Sequence, residues 1–191
     1  PVHMSSVAGG GAFDVVGFAF AGTPGVQLGH NGRVGWTATT NFADVMDMWG
    51  VDTNDDETAV FFGGATYPIV RREETLCVRR PGGRYGECDP ESITLRDVPG
   101  HGILLPKSVL PILPALLTDA DEILFAWTGF DATLEASAYL AMDRATSLDA
   151  WEQAVDLLAV GAQNFVAADA KSIAYRVSAR VPDRGTPGSH P

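Results

Sequence analysis

Alternating apolar and polar positions predict strands in the first half of the chain. Residues 13–20 and 33–40 alternate in this way and are rich in Val, Thr and aromatic residues, and Gly or Pro lies at their ends. Residues 46–52 predict a third strand. Residues 66–80 form a longer extended segment that ends in a Pro-Gly-Gly sequence. A chain reversal there would make this segment one arm of a β-hairpin.

Helical spacing appears in the second half of the chain. Ser147 precedes an apolar stripe at this spacing, made of Trp151, Ala154, Val155 and Leu158. Acidic residues in the first turns complement the positive end of the helix dipole, and we expect the stripe to lie in the core. A second helix is predicted over residues 134–142, and a shorter one with several prolines over 105–117. Residues 163–179 predict two strands that reverse direction at 169–172.

Because strands and helices occur in blocks rather than in strict alternation, the sequence predicts an α+β fold. Its 191 residues are 46% hydrophobic and 19% charged, which is enough apolar material for a buried core. The formal charge of −11, from 13 Lys and Arg against 24 Asp and Glu, argues against a nucleic-acid partner. The longest apolar run, residues 103–117, is interrupted by three prolines and Lys107, so we expect no membrane-spanning helix.

The two cysteines, Cys77 and Cys88, flank a segment rich in Pro and Gly that favours a chain reversal. In an oxidising compartment they could face each other and form a disulfide that closes a short loop. The alternative is two unpaired thiols. The spacing does not match a CxxC metal or redox motif.

One segment carries the most specific motif of the chain. The sequence GHNGRVGW occupies residues 29–36, FADVMD follows at 42–47, and a Pro-Gly pair precedes both at 24–25. This arrangement resembles a stretch of the penicillin acylase family of amide hydrolases that leads from the substrate pocket to a bound calcium ion. It therefore predicts an enzyme of that family.

Further segments are similar to the same family in the same order. They are REET at 72–75 with the following Cys77-Val78, GHGI at 100–103, FAWT at 125–128, SLDAWE at 147–152, QNFVAAD at 163–169, IAY at 173–175 and PDR at 182–184. The resemblance extends from about Phe13 to Arg184 and so covers nearly all of the chain.

The resemblance implies a fold and a reaction. The fold would be the β-rich part of a four-layer αββα sandwich, typical of N-terminal-nucleophile hydrolases. The reaction would be hydrolysis of the acyl amide bond of an N-acylated small molecule: a β-lactam side chain, an acyl-homoserine lactone or a lipopeptide. The family's nucleophile is a serine that begins the catalytic chain, and its own α-amino group acts as the base.

This chain begins with Pro1, so we expect the nucleophile to lie upstream. Residues 1–191 would then be one partial domain, an internal fragment of the catalytic chain, with a possible β-rich insertion at 66–104. The resemblance also implies a smaller α chain from the same processed precursor and a periplasmic or secreted location. The alternative is a secreted, non-catalytic β-rich binding or structural domain on the same scaffold.

Asn164 is the first candidate catalytic residue. An Asn among β-branched and aromatic strand residues opposes local propensity, which by itself also fits a turn or an Asx hydrogen bond. The resemblance places Asn164 on the family's oxyanion-hole asparagine, whose amide N–H donates to the developing alkoxide. It places the second donor, a backbone N–H, at Thr40.

The resemblance also implies a structural calcium site. Asp44 and Asp47 match two carboxylate ligands, and the carbonyl of Met46 matches a third oxygen ligand. The spacing of the two carboxylates alone would equally fit solvated side chains. Because calcium takes six to eight oxygen ligands, we expect another chain to contribute at least one more.

Three further positions follow from the resemblance. Phe20 and Ala21 match the segment that lines the acyl pocket, with a position in the hydrophobic core as the alternative. Arg184 matches an arginine near the site entrance, either in solvent or in a supporting salt bridge. For His30 and His101 we expect a structural role rather than that of a catalytic base, because the family's base is the amine of the nucleophile.

Overall fold

The computed structural model describes residues 1–84, 86–105 and 120–184. Within these ranges the chain forms thirteen strands and two α-helices. The strands are β1 Val2–Ser5, β2 Asp14–Phe18, β3 Leu28–His30, β4 Gly35–Thr40, β5 Met46–Thr53, β6 Ala59–Phe62, β7 Ala65–Pro68, β8 Val70–Arg79, β9 Cys88–Val98, β10 Gly102–Leu104, β11 Glu122–Trp127, β12 Gln163–Ala168 and β13 Ile173–Ser178. The helices are α1 Glu135–Arg144 and α2 Leu148–Val155.

The chain divides into two compact units. The first contains Pro1–Val45 and Thr128–Pro182, and the second contains Met46–Trp127 and Asp183–Pro191. Each unit has one antiparallel sheet. The order is β1-β2-β3-β4-β12-β13 in the first sheet and β7-β6-β5-β11-β10-β9-β8 in the second.

The core of the first unit lies between the helices and one face of its sheet. Trp151 of α2 is fully buried, and its ring meets that of Phe165 edge-on at 5.9 Å. The helix begins where the sequence predicts, because the Ser147 hydroxyl accepts a hydrogen bond of 3.2 Å from the Ala150 N–H and so caps the first turn. The predicted stripe of α2 is therefore a core stripe.

The opposite face of this sheet carries Asn164. Burial alternates along β12, where Phe165 and Ala167 are buried and Val166 is exposed. By this alternation Asn164 lies on the same face as Val166. The strand pair predicted over 163–179 is confirmed, since β12 and β13 pair from Gln163↔Ser178 to Ala168↔Ile173 around a turn at 169–172.

The second unit has its own small core, made of Val51, Val60, Val98, Leu104 and Leu124. Arg96 of β9 and Glu122 of β11 are also buried there, and they form two parallel hydrogen bonds of 2.8 and 2.9 Å. This two-pronged geometry satisfies both charged groups, which is the condition for tolerating an ion pair in a core.

The predicted hairpin is present, although its first arm is two strands rather than one. β7 ends at Pro68 and β8 begins at Val70, and β8 then pairs with β9 along its whole length. Cys77 lies opposite Pro90 and Cys88 opposite Arg79, so the cysteines are diagonal neighbours in this ribbon. Their Cα atoms are 5.3 Å apart, and a disulfide joins them. Of the two alternatives for the cysteines, pairing is confirmed.

The α+β class is confirmed by the two antiparallel sheets and the two helices. The helix predicted over 105–117 lies almost wholly outside the described residues. Residues 66–104 supply the β8–β9 ribbon and its neighbours in the second sheet; their origin as an insertion, and the interpretation of residues 1–191 as one partial domain, stay predictions. Among the described residues, no helix is long and apolar enough to cross a membrane.

Candidate active site

Asn164 lies on β12, the strand next to the edge strand β13 in the sheet of the first unit. It lies on β12 directly opposite Thr39 of β4 on one side and Val177 of β13 on the other. Strands on both sides hold the backbone of this residue, so its side chain projects from a rigid part of the fold. Asn164 therefore belongs to the sheet and is not a turn residue.

Four polar contacts surround the Asn164 side chain. Its Oδ1 atom accepts hydrogen bonds from the Tyr175 hydroxyl at 2.7 Å and from the Asn41 Nδ2 at 2.9 Å. Its Nδ2 atom makes longer contacts, 3.3 Å to the Thr40 carbonyl oxygen and 3.5 Å to the Thr39 hydroxyl. The carbonyl oxygen of the amide thus accepts two short hydrogen bonds. The NH₂ group makes only two long contacts, which a substrate oxygen can replace.

The backbone N–H of Thr40 points away from β12. Asn41 donates its own N–H to the Ala162 carbonyl at 2.9 Å, and hydrogen-bonded pairs alternate along an antiparallel ladder. Thr40, opposite Gln163, therefore directs its N–H toward the other edge of β4. On that edge the pairing of β3 with β4 extends only over Gly35 and Trp36. The two predicted oxyanion donors thus lie on neighbouring strands: Asn164 is on β12, and Thr40 is on β4, one residue after the partner of Asn164.

Phe20 and Ala21 lie on the loop between β2 and β3. Phe20 is 63% exposed, so the alternative core position is wrong. The loop is ordered by its own hydrogen bonds: the Phe20 N–H donates to the Gln27 side-chain oxygen at 2.8 Å, and the Thr23 hydroxyl donates to the Phe20 carbonyl at 2.9 Å. An exposed apolar side chain on an ordered loop is suited to line a binding pocket.

Asp143, near the end of α1, forms a hydrogen bond with the loop between β2 and β3. Its side chain is 2% exposed, and its Oδ2 atom accepts a hydrogen bond of 2.9 Å from the Val26 N–H. Burial raises the pKa of Asp143 to about 6, against the opposing effects of the Val26 hydrogen bond and the nearby Arg144 charge. Nothing in the sequence singled out this residue, because its partner is far away along the chain.

The hydrogen bonds of Asn31 explain why the GHN motif contains an asparagine. Its Nδ2 donates to the carbonyl oxygens of Asp143 and Ala145 at 3.1 and 2.8 Å, which satisfies acceptors at the end of α1. Its Oδ1 accepts from the N–H groups of Arg33 and Val34, both at 3.0 Å. The motif therefore joins the turn before β4 to α1.

His30 makes a local contact of the kind expected for a structural residue. Its Nδ1 atom accepts a hydrogen bond of 3.3 Å from the Gly32 N–H. In the second unit the ring of His101 lies against Tyr67 and Phe62, with centroids 4.1 and 5.3 Å away. The assignment of a structural rather than catalytic role to both histidines stays a prediction.

The residues predicted to bind calcium lie at the start of β5. Met46 and Asp47 are the first residues of this strand, and Asp44 precedes it. The Nε atom of Arg184 lies 3.0 Å from each carboxylate oxygen of Asp47, so this arginine is part of a salt bridge. Among the described residues there is no cluster of three or more His, Cys, Asp or Glu that could hold a metal ion. The donors are oxygens, as calcium requires, but they are too few to complete a site.

Comparison with known proteins identifies the family of the chain. The chain matches the family described as penicillin amidase over residues 2–191. It is 30% identical over 174 residues to the penicillin acylase 2 proenzyme of Pseudomonas sp. (strain SE83), which covers 90% of this chain and 20% of that protein. It is also 30% identical over 71 residues to the penicillin G acylase of Escherichia coli, which covers 37% of this chain and 8% of that protein.

A solved structure shares the fold. It is a thermostable penicillin G acylase from Alcaligenes faecalis, with a TM-score of 0.65 and 22% identity over 88% of this chain and 28% of that one. At this level of identity the likeness shows a shared fold. The chain belongs to the penicillin amidase family, a family of amide hydrolases. It spans about a fifth of the length of the Pseudomonas relative.

Proposed function

We propose that this protein is part of an amidohydrolase that cleaves the acyl amide bond of an N-acylated small molecule. The observation that carries the proposal is the Asn164 side chain, fixed on a sheet by contacts to its carbonyl end, with its N–H end directed to the replaceable acceptors of Thr39 and Thr40. A pre-oriented N–H donor of this kind suits a reaction that develops negative charge on a carbonyl oxygen.

The proposed reaction has two halves. The hydroxyl oxygen of an N-terminal serine, lying outside these residues, attacks the substrate carbonyl, and its α-amino group accepts the hydroxyl proton. The carbonyl oxygen becomes an alkoxide, which Asn164 Nδ2–H and the Thr40 N–H stabilise. Collapse of this intermediate breaks the C–N bond, and the amine leaves with the proton. Water then attacks the acyl ester by the same route and releases the acid.

The substrate proposal rests on the loop that carries Phe20 and Ala21. These side chains would contact the acyl group, and the smaller α chain of the same precursor would complete the pocket. A β-lactam side chain, an acyl-homoserine lactone and a lipopeptide acyl chain all present an apolar acyl group to such a surface. The names of the relatives indicate penicillin as a substrate of those proteins, which favours the first of the three here.

We also propose a calcium ion with a structural role. The carboxylates of Asp44 and Asp47 and the carbonyl of Met46 would hold it, and the remaining ligands would come from outside these residues. Arg184 would keep the Asp47 carboxylate oriented through their salt bridge. When bound, the ion would stabilise the start of β5, and it would not touch the substrate.

The Cys77–Cys88 disulfide supports a periplasmic or secreted location, because disulfides persist in oxidising compartments. Neither the location nor the substrate is needed for the catalytic proposal.

The experiment is to purify the complete protein and determine the N-terminal residue of its catalytic chain. Its turnover of phenylacetyl- and fatty-acyl-amide chromogenic substrates is then measured. We expect a serine at that terminus and hydrolysis of at least one substrate. The 191-residue chain alone is the control and should show no turnover. A correctly folded complete protein without that terminal nucleophile would instead support the non-catalytic binding or structural domain.

A further inference from the structure

The Asn164 amide is held from two sides by residues to which no role has been assigned. Tyr175 of β13 and Asn41, which follows β4, both donate to its Oδ1 atom, at 2.7 and 2.9 Å. We propose that Tyr175 and Asn41 are positioning residues that fix the Asn164 amide in the orientation needed to bind an oxyanion. This inference rests on the proposed function of Asn164.

The contact of Tyr175 is set by the register of the sheet. Tyr175 lies opposite Val166, and Asn164 lies opposite Val177, so Tyr175 and Asn164 are diagonal neighbours on one face. Long side chains reach across such diagonals in antiparallel sheets. The Tyr175 side chain is 61% exposed, so burial does not account for the orientation of its hydroxyl. The hydrogen bond to Asn164 does.

The contact of Asn41 comes from the opposite side. Its backbone is anchored, because its N–H donates to the Ala162 carbonyl two residues before Asn164. Its side-chain Nδ2 then reaches the Asn164 Oδ1 atom. The two donors therefore approach the same oxygen from the two strands that flank β12.

This arrangement decides which end of the amide meets a substrate. The terminal torsion of an asparagine side chain is soft, so an unsupported amide also samples the flipped orientation. In the flipped orientation Oδ1 would occupy the place of Nδ2 and would repel an alkoxide. Flipping would also place two donors, the O–H of Tyr175 and the side-chain N–H of Asn41, against an NH₂ group, or force them to turn away. The two positioning residues thus supply preorganisation, and their removal should lower kcat more than it raises KM.

The test uses Tyr175→Phe, Asn41→Ala and Asn41→Asp in the complete processed enzyme. Loss of one neutral hydrogen bond should lower kcat about threefold to tenfold with KM within about twofold of the parent. Asn41→Asp should lower kcat further than Asn41→Ala, because a carboxylate in contact with Oδ1 favours the flipped amide. Tyr67→Phe makes the same chemical change in the second unit and should leave kcat unchanged.

Each change is then repeated in an Asn164→Ala background. If Tyr175 and Asn41 act through Asn164, they should have no further effect on kcat there. Equal losses in both backgrounds, or parental kcat for all three single variants while Asn164→Ala loses activity, would overturn the positioning role. Parental kcat for Asn164→Ala itself would overturn the proposed function instead.

Chain sizes on a gel resolve the remaining outcomes. A Tyr175→Phe protein that stays unprocessed supports the proposal if Asn164→Ala also stays unprocessed, because both would then have lost the same oxyanion donor. If Asn164→Ala is processed and Tyr175→Phe is not, Tyr175 serves folding rather than Asn164, and the proposal is contradicted.

Discussion

The Oδ2 atom of Asp143 accepts a hydrogen bond of 2.9 Å from the backbone N–H of Val26, 117 residues away in the chain. This bond connects the end of α1 to the loop that carries Phe20 and Ala21. The second carboxylate oxygen, Oδ1, is buried and has no hydrogen-bond partner among the described residues. Asp143 thus stabilises the loop through one oxygen, whereas ionisation of its buried carboxyl is unfavourable.

The first prediction concerns the pH dependence of stability. The pKa of Asp143 is raised to about 6 in the folded protein from 3.8, so the folded state binds the proton more tightly than the unfolded state. The contribution of Asp143 to the free energy of unfolding is most favourable below pH 4 and is lost as the pH rises through 6. The loss is at most about 3 kcal/mol, from about 1.4 kcal/mol per pKa unit.

Asp143→Asn should remove this dependence, because the amide oxygen can still accept the Val26 hydrogen bond without a charge. The measurement is the difference in free energy of unfolding between variant and parent at pH 4 and pH 7.5. The free energy of unfolding of the variant, relative to that of the parent, should be larger at pH 7.5 than at pH 4. The exposed Asp55→Asn change is the control, and an identical pH dependence in all three proteins would show that the Asp143 carboxyl is not the source.

A second prediction uses two glycines of the same loop. Gly25 has φ of +81° and a Cβ there would lie 2.7 Å from Asp143 Oδ2, whereas Gly22 has φ of +83° and open space around it. Alanine at either position adds backbone strain of about 1–2 kcal/mol. Gly25→Ala should cost more than Gly22→Ala, because it also displaces the Asp143 carboxylate. Thermal unfolding compares the two, and equal losses would contradict the tight contact with Asp143.

The calcium proposal predicts the effect of changing Asp44 and Asp47 together to Asn. In the complete protein this double variant should contain less calcium after dialysis and should unfold at a lower temperature. A ligand that binds only the folded state stabilises it, so losing the site lowers stability. Added calcium should raise the unfolding temperature of the parent more than that of the variant. Unchanged metal content in the variant would refute the assignment.

The Cys77–Cys88 disulfide predicts resistance of the β8–β9 ribbon to local unfolding. The cross-link closes a loop with a sequence separation of 11, worth about 2–3 kcal/mol in the chain-entropy model. Mass spectrometry of non-reduced peptides should find the two cysteines joined. Two thiols that can be alkylated in protein isolated from its native compartment would contradict this pairing.

Local signals in the sequence predicted local structure well. The spacing of Trp151 and its neighbours, together with the Ser147 cap, predicted α2, because a helix is determined by contacts three and four residues apart. The β12–β13 reversal at 169–172 was also predicted, because the residues that form a tight turn are close together in the sequence. Its turn is closed by Asp169, whose side chain accepts from the Lys171 and Ser172 N–H groups at 2.8 Å.

The contacts that shape the candidate site are long-range, and the sequence does not show them. Asn41 is next to Thr40, yet its partner Asn164 is 123 residues away, and the salt bridge from Arg184 to Asp47 spans 137. An Asp near the end of a helix ordinarily faces solvent, so Asp143 gave no signal of its contact with Val26. Family resemblance identified Asn164, and only the sheet register shows what holds its side chain.

The oxyanion role of Asn164 is tested most directly by kcat of Asn164→Ala in the complete, processed enzyme. We expect a kcat lower by about 10²–10³, equivalent to about 2.7–4 kcal/mol, with KM nearly unchanged. The reason is that the donor is directed at charge that exists only in the transition state. Chain sizes on a gel must first show that the variant is processed. A processed variant with the kcat of the parent would show that Asn164 does not stabilise the oxyanion.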